Sequence, residues 1–314
     1  MTHSLPAGAP GGPPGPHGTD TGGTGGMGGV VTGDIGTGGV VTGGVDTDGP
    51  LDRPDRRDPA HAVDPARPVD PAHAVDTVDV WTLWIPDHAA AAAARAGILD
   101  AGETRRAAGF QDPAARTRFV TSHVGLRVLL GDRLGTAPQD VVLVRERCGM
   151  PGCEEPHGRP AVAGRPGVHF SLSHAGDVAL YALAASPVGV DVESRELVGD
   201  GLERLARRLH PDERRALDAL PPAARRDALL GCWVRKEAFL KGIGTGLPGG
   251  VGAHHVGLAA ALAPPWAPPG PDGWALLDVP APAGCQAAVA LRRPGTAGHL
   301  PTMRTSRLLL APPD

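Results

Sequence analysis

The residues that could build a hydrophobic core are concentrated in the last three-quarters of this 314-residue chain. From Met1 to about Asp76 the sequence consists mainly of Gly, Pro, Thr, Asp and Ala, and it sustains no helical or strand period. Such a segment cannot bury enough apolar surface to offset roughly 1–2 kcal/mol of backbone entropy for each ordered residue. It also contains the heptapeptide DPAHAVD twice, at 58–64 and 70–76, which is typical of low-complexity expansion. Residues 1–76 are therefore predicted to form a disordered extension.

The charge and the cysteine content argue against several classes of protein. A net charge of −4 does not indicate binding to nucleic acid or to a membrane surface. No apolar run approaches the ~20 residues that cross a bilayer, and residues 1–10 lack the basic start and apolar core of a secretion signal. The cytoplasm is therefore the expected location. Four cysteines are too few for a disulfide scaffold in a chain of this length.

Two of the cysteines lie in one loop that is rich in Gly and Pro. Cys148 and Cys153 are followed by His157, and zinc accepts these ligand types at such spacings. Because no fourth ligand is apparent, two free thiols are the simpler interpretation, and a metal at this loop stays an open alternative. Cys232 and Cys285 lie among apolar residues and are expected to be buried.

The rest of the chain mixes strand and helix patterns. Strands are predicted at 78–85, 168–174, 178–185 and 188–194, a tight hairpin turn at 175–177, and helices at 114–134, 201–209 and 224–241. Asp87 is expected to cap an alanine-rich helix, and Asp112 with Pro113 to begin the long helix after it. The segment with Trp266, Trp274 and 285–291 is interpreted as a Pro-rich loop and closing strands. This order of elements predicts an α+β fold.

Two acids share one face of the strand at 188–194. Asp191 and Glu193 are two residues apart, so their side chains point the same way, while Val190 and Val192 point into the core. A solvated strand edge is the ordinary interpretation of a lone D-x-E pattern. The apolar neighbours instead favour a buried strand, where two unit charges ~4 Å apart repel by about 4 kcal/mol at an effective dielectric of ~20. A divalent cation bound through oxygen removes that repulsion, and magnesium keeps positions open for phosphate oxygens.

A third carboxylate is predicted on the last long helix. Glu237 and Lys241 are one turn apart, and the simplest interpretation is a surface ion pair worth roughly a few tenths of a kcal/mol. Trp233 one turn earlier and the apolar run at 238–240 favour a buried helix face instead. A buried glutamate beside a metal is a candidate base.

Hydroxyl and basic side chains elsewhere supply candidate phosphate contacts. Ser171 and Ser173 share one strand face next to His174, and a cationic imidazole there could hold a phosphate. Four arginines are further candidates: Arg106, Arg118 and Arg127 in the helical region, and Arg159 in the loop GRP. Each signal is weak alone, because arginines on helices are usually solvated.

Three sequence blocks occur in a fixed order: HFSLSH at 169–174, GVDVE at 189–193 and WVRKEAFLKGIGTGL at 233–247. Together with the GRP loop and the spacing from Arg118 to Arg127, they resemble the surfactin-type family of 4'-phosphopantetheinyl transferases over roughly residues 78–314. The resemblance implies two similar α/β halves related by pseudo-twofold symmetry, at 77–188 and 189–314, with coenzyme A bound in the cleft between them.

The resemblance also implies roles for the candidate residues. Asp191, Glu193 and Glu237 would bind Mg2+ together with the diphosphate of coenzyme A, and Glu237 would also serve as the base for the carrier serine. Lys241 would contact the diphosphate and stabilise the leaving group. The 3'-phosphoadenosine end would be held by Ser173, His174, Arg159, Arg118 and Arg106. Many relatives carry lysine at the position of Arg159, so the charge is kept but its geometry is not.

The implied activity is of the holo-[acyl-carrier-protein] synthase type, in a monomer whose partners are coenzyme A and apo acyl or peptidyl carrier proteins. Two alternatives remain: a magnesium-dependent hydrolase of coenzyme A or a nucleotide, which would use the same acids, and a non-catalytic coenzyme A binder. The binder requires a broken acidic trio, and all three acids are present.

Because carrier proteins are usually acidic, a basic docking face is expected. The candidates are Arg204, Arg207, Arg208, Arg214 and Arg215, for which a solvated helix face is an equal alternative.

Overall fold

The computed structural model describes residues 76–148, 150, 152–196, 200–247, 250–258, 270–293 and 301–311, with only the helical backbone described at 200–203. Residues 1–75 of the predicted extension, and Trp266, lie outside the described residues. Among the helices that the structure describes, none is long and apolar enough to span a membrane.

The described chain has a mixed α+β fold, as the sequence predicted. Its first part contains β1 (Thr77–Trp84), α1 (Ile85–Ala94), α2 (Ala101–Gly109), α3 (Pro113–Leu134), β2 (Leu143–Arg145), β3 (Pro160–Val162), β4 (His169–Ala175) and β5 (Val178–Ala184). Its second part contains β6 (Val188–Ser194), α4 (Asp200–Arg208), α5 (Pro211–Asp218), α6 (Pro222–Ile243), β7 (Trp274–Asp278), β8 (Cys285–Arg292) and β9 (Thr302–Arg307).

Most of the predicted elements are confirmed, and three details are corrected. The first strand ends at Trp84, so Ile85 begins the helix rather than ending the strand. Asp87 lies inside the first turn of α1 and is not its cap. Helix α5 and the short strands β2 and β3 were not predicted; α5 begins with a capping box in which Glu213 accepts from the backbone N–H of His210. Asp112 caps α3 as expected, accepting hydrogen bonds from two backbone N–H groups.

Three sheets are formed by the described strands. The first has the order β4-β5-β1-β9, the second is the β2-β3 hairpin, and the third has the order β6-β8-β7. Strand β9 pairs in parallel with β1, so the last strand of the chain joins the first sheet, which the sequence did not predict. The division at 188/189 stays a prediction; under it β9 falls in the second half, although it pairs with the sheet of the first half.

The core consists of three clusters that hold helices and sheets together. One lies between α3 and the first sheet, and another lies between α6 and the third sheet. The middle cluster joins the two sheets through alternating apolar residues of β1, β5, β6 and β8. Val190 and Val192 belong to the middle cluster, as strand alternation predicted.

Two glycines allow α6 to lie directly against β6. A Cβ atom at Gly189 would lie 2.0 Å from the carbonyl oxygen of Ala238 and 2.5 Å from the backbone nitrogen of Gly242. A Cβ atom at Gly242 would lie 2.6 Å from the ring of Trp274. The backbones of β6 and α6 therefore approach more closely than any side chain permits, and this brings the acids of β6 next to α6.

Gly189→Ala is expected to lower the free energy of unfolding by about 3 kcal/mol, because the added methyl group must displace the backbone of α6. Denaturant unfolding measures the effect. The matched control is Gly109→Ala at the end of α2, where a Cβ atom meets nothing within 4 Å. Equal stability of the two variants would contradict the close approach.

Candidate functional site

The acids predicted on the strand and the helix come together in the interior, next to α6. Asp191 and Glu237 are each only 2% exposed, and Glu193 is half-buried at the end of β6. Neither a solvated strand edge nor a surface Glu–Lys pair describes this arrangement. The buried interpretation of both motifs is therefore confirmed.

Lys241 ties Asp191 to the first sheet. Its Nζ donates to Asp191 Oδ1 at 2.7 Å, to Ser173 Oγ at 3.0 Å and to the Val190 carbonyl oxygen at 3.3 Å. Ser173 Oγ in turn donates to Asp191 Oδ1 at 2.8 Å. Lys241 thus pairs with Asp191, and its contact with Glu237 is limited to the electrostatic influence of its charge.

The three acids are strongly affected by their burial. Desolvation raises the pKa of Glu237 to about 8, and the charge of Asp191 adds to the effect. Desolvation and then the charge of Asp191 raise the pKa of Glu193 to about 8 as well. Burial also raises the pKa of Asp191, although Lys241 and Ser173 oppose the shift. Without a bound cation, the site therefore holds protons at neutral pH that ordinary surface carboxyls would have lost.

Two buried carboxylate oxygens are suitable ligands for a hard cation. Asp191 Oδ2 and Glu237 Oε1 are buried and accept no hydrogen bond. A buried acceptor without a partner is costly, and a cation that binds oxygen ligands satisfies it. Asp191, Glu193 and Glu237 therefore suit Mg2+.

The acids are not gathered as tightly as bound ligands would be. In the described part of the chain, three or more potential metal-binding atoms lie within 4.8 Å of one another only at Cys148, Cys153 and His157. Closing the acids on a cation would therefore require side-chain movement.

The serines of β4 join the two larger sheets at the site. Ser171 Oγ accepts from the backbone N–H of Val190 at 3.0 Å, and Ser173 Oγ accepts from that of Val192 at 3.4 Å. Both hydroxyls share one face, as predicted, and that face is turned towards β6. Ser173 consequently lies with Asp191 and Lys241.

His174 is not the cationic group that the sequence analysis assumed. Burial, followed by the positive charges of Lys241 and of neighbouring basic side chains including Arg118, lowers the pKa of His174 to about 4. The imidazole is therefore neutral at pH 7 in the structure without ligand. Arg118 lies close enough to influence it and pairs with Asp112 at 3.4 Å, while Arg106 stacks over the ring of Phe110 at 5.6 Å.

Arg159 connects its loop to the C-terminal end of α6. One guanidinium nitrogen donates to the Gly242 carbonyl oxygen at 3.0 Å, and another pairs with Glu146 at 2.6 Å. Its Nε is buried without a hydrogen-bond partner. Arg159 thus contacts the backbone of the residue that follows Lys241.

Arg127 is a structural residue, which corrects its assignment as a candidate phosphate contact. It is fully buried and pairs with Glu103 at 2.5 Å and with Asp100 at 2.7 Å. It also donates to the Val141 carbonyl oxygen at 3.0 Å. Glu103 additionally binds His123 at 2.8 Å, so the network fastens α2 to α3 and leaves Arg127 no access to a ligand.

Two contributions at the site and one structural ion pair on α6 were missed by sequence reasoning. The indole N–H of Trp233 donates to Glu193, which explains the tryptophan one turn before Glu237. Arg208 at the end of α4 lowers the pKa of Glu237, so a basic helix lies beside the acids. Lys236 pairs with Glu213 at 2.7 Å and is only 1% exposed. The motif WVRKEAFLK therefore contains one structural lysine and one lysine at the site.

Comparison with known proteins shows which family this chain resembles. Residues 187–263 match the model of the 4'-phosphopantetheinyl transferase superfamily. The 4'-phosphopantetheinyl transferase HetI of Nostoc sp. is 31% identical over 201 residues, which are 62% of this chain and 79% of HetI. The 4'-phosphopantetheinyl transferase psf-1 of Bacillus pumilus is 29% identical over 217 residues, 64% of this chain and 85% of psf-1. The 4'-phosphopantetheinyl transferase Sfp of Bacillus subtilis is 28% identical over 152 residues, 48% of this chain and 67% of Sfp.

Proposed function

This chain belongs to the surfactin-type family of 4'-phosphopantetheinyl transferases, and on that premise we propose that it transfers the 4'-phosphopantetheine arm of coenzyme A to a serine hydroxyl of an apo carrier protein. The transfer converts an acyl, polyketide or peptidyl carrier into its holo form and releases 3',5'-bisphosphoadenosine. The chain acts as a monomer, because it supplies all three acids itself. The observation that carries the proposal is the pair of buried carboxylate oxygens without partners beside Lys241.

The acids and Lys241 divide the chemistry between them. Asp191, Glu193 and Glu237 would hold Mg2+, which when bound neutralises charge on the diphosphate oxygens of coenzyme A. The carrier serine oxygen attacks the β-phosphorus, and the bond from that phosphorus to the bridging oxygen breaks. Glu237 accepts the serine proton, directly or through a water molecule. Burial raises the pKa of the Glu237 carboxyl to about 8, so once a bound cation had displaced its proton the carboxylate would be a stronger base than an ordinary one.

Lys241 stabilises the charge that develops on the departing phosphate. Its ammonium group is held by Ser173 and the Val190 carbonyl as well as by Asp191, so it is positioned before substrate binds. Ser173, whose hydroxyl contacts Lys241, would also belong to the residues that hold the 3'-phosphoadenosine end. His174, Arg159, Arg118 and Arg106 would hold the 3'-phosphoadenosine end, in a cleft between two halves at 77–188 and 189–314 with pseudo-twofold symmetry. The hydrogen bond from Arg159 to the end of α6 supports that assignment.

A transfer assay tests the proposed function. Incubation of the chain with coenzyme A, magnesium and a panel of apo carrier proteins should add the phosphopantetheine mass to a carrier serine. A magnesium-dependent hydrolase of coenzyme A would consume coenzyme A and leave every carrier at its original mass, and that outcome would overturn the proposal.

The basic helices beside the acids are proposed to dock the acidic carrier. Arg204 on α4 and Arg214 on α5 are exposed, and Arg208 lies near enough to Glu237 to influence it. Electrostatic docking at an exposed rim changes association more than chemistry.

Charge reversal of both exposed residues, Arg204→Glu with Arg214→Glu, is expected to raise the KM for the carrier about 10-fold at low salt and to leave kcat nearly unchanged. Kinetics at two ionic strengths measure the effect, which should shrink at high salt. Arg133→Glu at the exposed end of α3 is the control and should not change KM. A KM in the double variant that equals the control would show that α4 and α5 are only solvated helices.

A further inference from the structure

The loop before Arg159 is the closed end of a β-hairpin. Strands β2 and β3 pair from Leu143 with Val162 to Arg145 with Pro160, and two more backbone hydrogen bonds between Glu146, Gly158 and Arg159 extend the ladder. A Cβ atom at Gly158 would lie 2.5 Å from the Arg147 carbonyl oxygen, so the two sides of the loop are in direct contact. These contacts form the base of the loop and hold together the points at which the chain enters and leaves it.

Two thiols and an imidazole lie close together in this loop. Cys148, Cys153 and His157 each offer one ligand atom, and these atoms all lie within 4.8 Å of one another. Cys153 Sγ lies 2.9 Å from Nε2 of His157, and Cys148 is only 1% exposed. A tetrahedral zinc ion, with bonds of about 2.3 Å to sulfur and about 2.0–2.1 Å to nitrogen, holds such ligands roughly 3.5–3.8 Å apart. Small side-chain shifts therefore suffice to reach that geometry.

We propose that Cys148, Cys153 and His157 bind a zinc ion that closes this hairpin loop, separate from the magnesium site at the acids. The donor set decides the metal, because thiolate sulfur and imidazole nitrogen select zinc over magnesium, which prefers oxygen. Water takes the fourth position, because the described residues place no fourth protein ligand within the cluster.

The cluster differs from a simple disulfide precursor, because an imidazole nitrogen lies next to the two thiols.

The zinc would also act on the proposed substrate site through Arg159. Arg159 follows His157 by two residues and contacts both Glu146 and the end of α6. A zinc ion bound by Cys148 and His157, at the two ends of the loop, would hold this arginine in place. This consequence depends on the proposed function, whereas zinc binding itself does not.

Metal content of the full chain tests the proposal without any transfer assay. The reduced, zinc-loaded protein is desalted and its zinc is counted by mass spectrometry, and Co2+ titration is followed through the absorption of the thiolate–cobalt bond. About one zinc for each chain is expected, as for one site with thiolate and imidazole ligands. Cys153→Ser and His157→Ala should each weaken binding at least about 100-fold, more than the loss of a group that only supports a ligand. Both residues face solvent, so thermal melting should show that the variants still fold.

Three control variants locate the ion. Cys285→Ala and His255→Ala change a cysteine and a histidine outside the loop, and Asp191→Asn disables the acidic site; all three should keep the zinc. Zinc that is lost in Asp191→Asn, or retained in Cys153→Ser and His157→Ala, would overturn the proposal. A reduced chain that binds no zinc, and instead forms a disulfide between Cys148 and Cys153 in air, would overturn it too.

Discussion

Asp191→Asn is expected to lower the rate of phosphopantetheine transfer roughly 1,000-fold, the size of effect that follows when a single charge-stabilising group is removed from an active site. Asparagine keeps the shape of the side chain and can still accept the hydrogen bond from Ser173, but it removes the charge that a divalent cation needs. Mass spectrometry of an apo carrier protein measures the rate.

The same variant should remain folded. Because burial raises the pKa of Asp191, its ionised form is less favourable in the folded chain than in the unfolded chain, and losing that charge costs little stability. The free energy of unfolding should change by about 1 kcal/mol or less. Glu196→Gln, an exposed acid in the turn after β6, is the control and should transfer normally. A folded Asp191→Asn protein with normal transfer would remove the basis of the metal site.

The two lysines of α6 are expected to separate stability from activity. Lys236 is 1% exposed and pairs with Glu213, which is fully buried and also accepts hydrogen bonds from the backbone N–H groups of Val256, Gly257 and His210. These donors stabilise the carboxylate form of Glu213, so Lys236→Met leaves a buried charge behind. A loss of about 3–5 kcal/mol in the free energy of unfolding is expected, which lowers Tm by roughly 10 °C in a domain of this size.

Lys241→Met should behave in the opposite way. Asp191, its partner, already has a raised pKa and can take up a proton when the lysine is removed. Stability should therefore change little, while transfer falls at least about 100-fold because the charge on the leaving group is no longer neutralised. Thermal unfolding and transfer rates at a temperature where both variants are folded measure the difference.

A double variant checks the structural half of this comparison. Glu213→Gln combined with Lys236→Met removes both charges and should recover part of the stability that Lys236→Met loses. Equal stability losses in Lys236→Met and Lys241→Met, or loss of transfer in a folded Lys236→Met protein, would contradict the assignment of one lysine to the fold and the other to the site.

The strands and helices that carry the acids could be predicted because their patterns are local. Alternation along 188–194 places Val190 and Val192 in the core and Asp191 and Glu193 on the other face, and the structure confirms the buried valines. The long helices were recognised from their spacing, and Asp112 from its position before Pro113. The prediction for Asp87 was wrong because aspartate is preferred at several positions near the start of a helix. The helix begins at Ile85, directly after the strand ends at Trp84, so Asp87 lies within its first turn.

Long-range contacts decided the remaining roles. No local pattern indicates that Arg127 is buried against Glu103 while Arg118 on the same helix stays at the surface. The neutral state of His174 depends on its burial and then on the charge of Lys241, which is 67 residues away in sequence and near in space. Strand β9 finds its parallel partner β1 across more than 200 residues, and short exposed strands of this kind carry little sequence signal.

The sequence by itself determined which side chains share a face, because strand alternation and helix spacing are local properties of the chain. The tertiary structure alone decided what each of them contacts. Gly189 and Gly242 let α6 approach β6, and only that approach pairs Lys241 with Asp191 and leaves two carboxylate oxygens buried without partners. The physical reason is that burial and charge pairing depend on distances between segments far apart in the chain, which a local pattern does not contain.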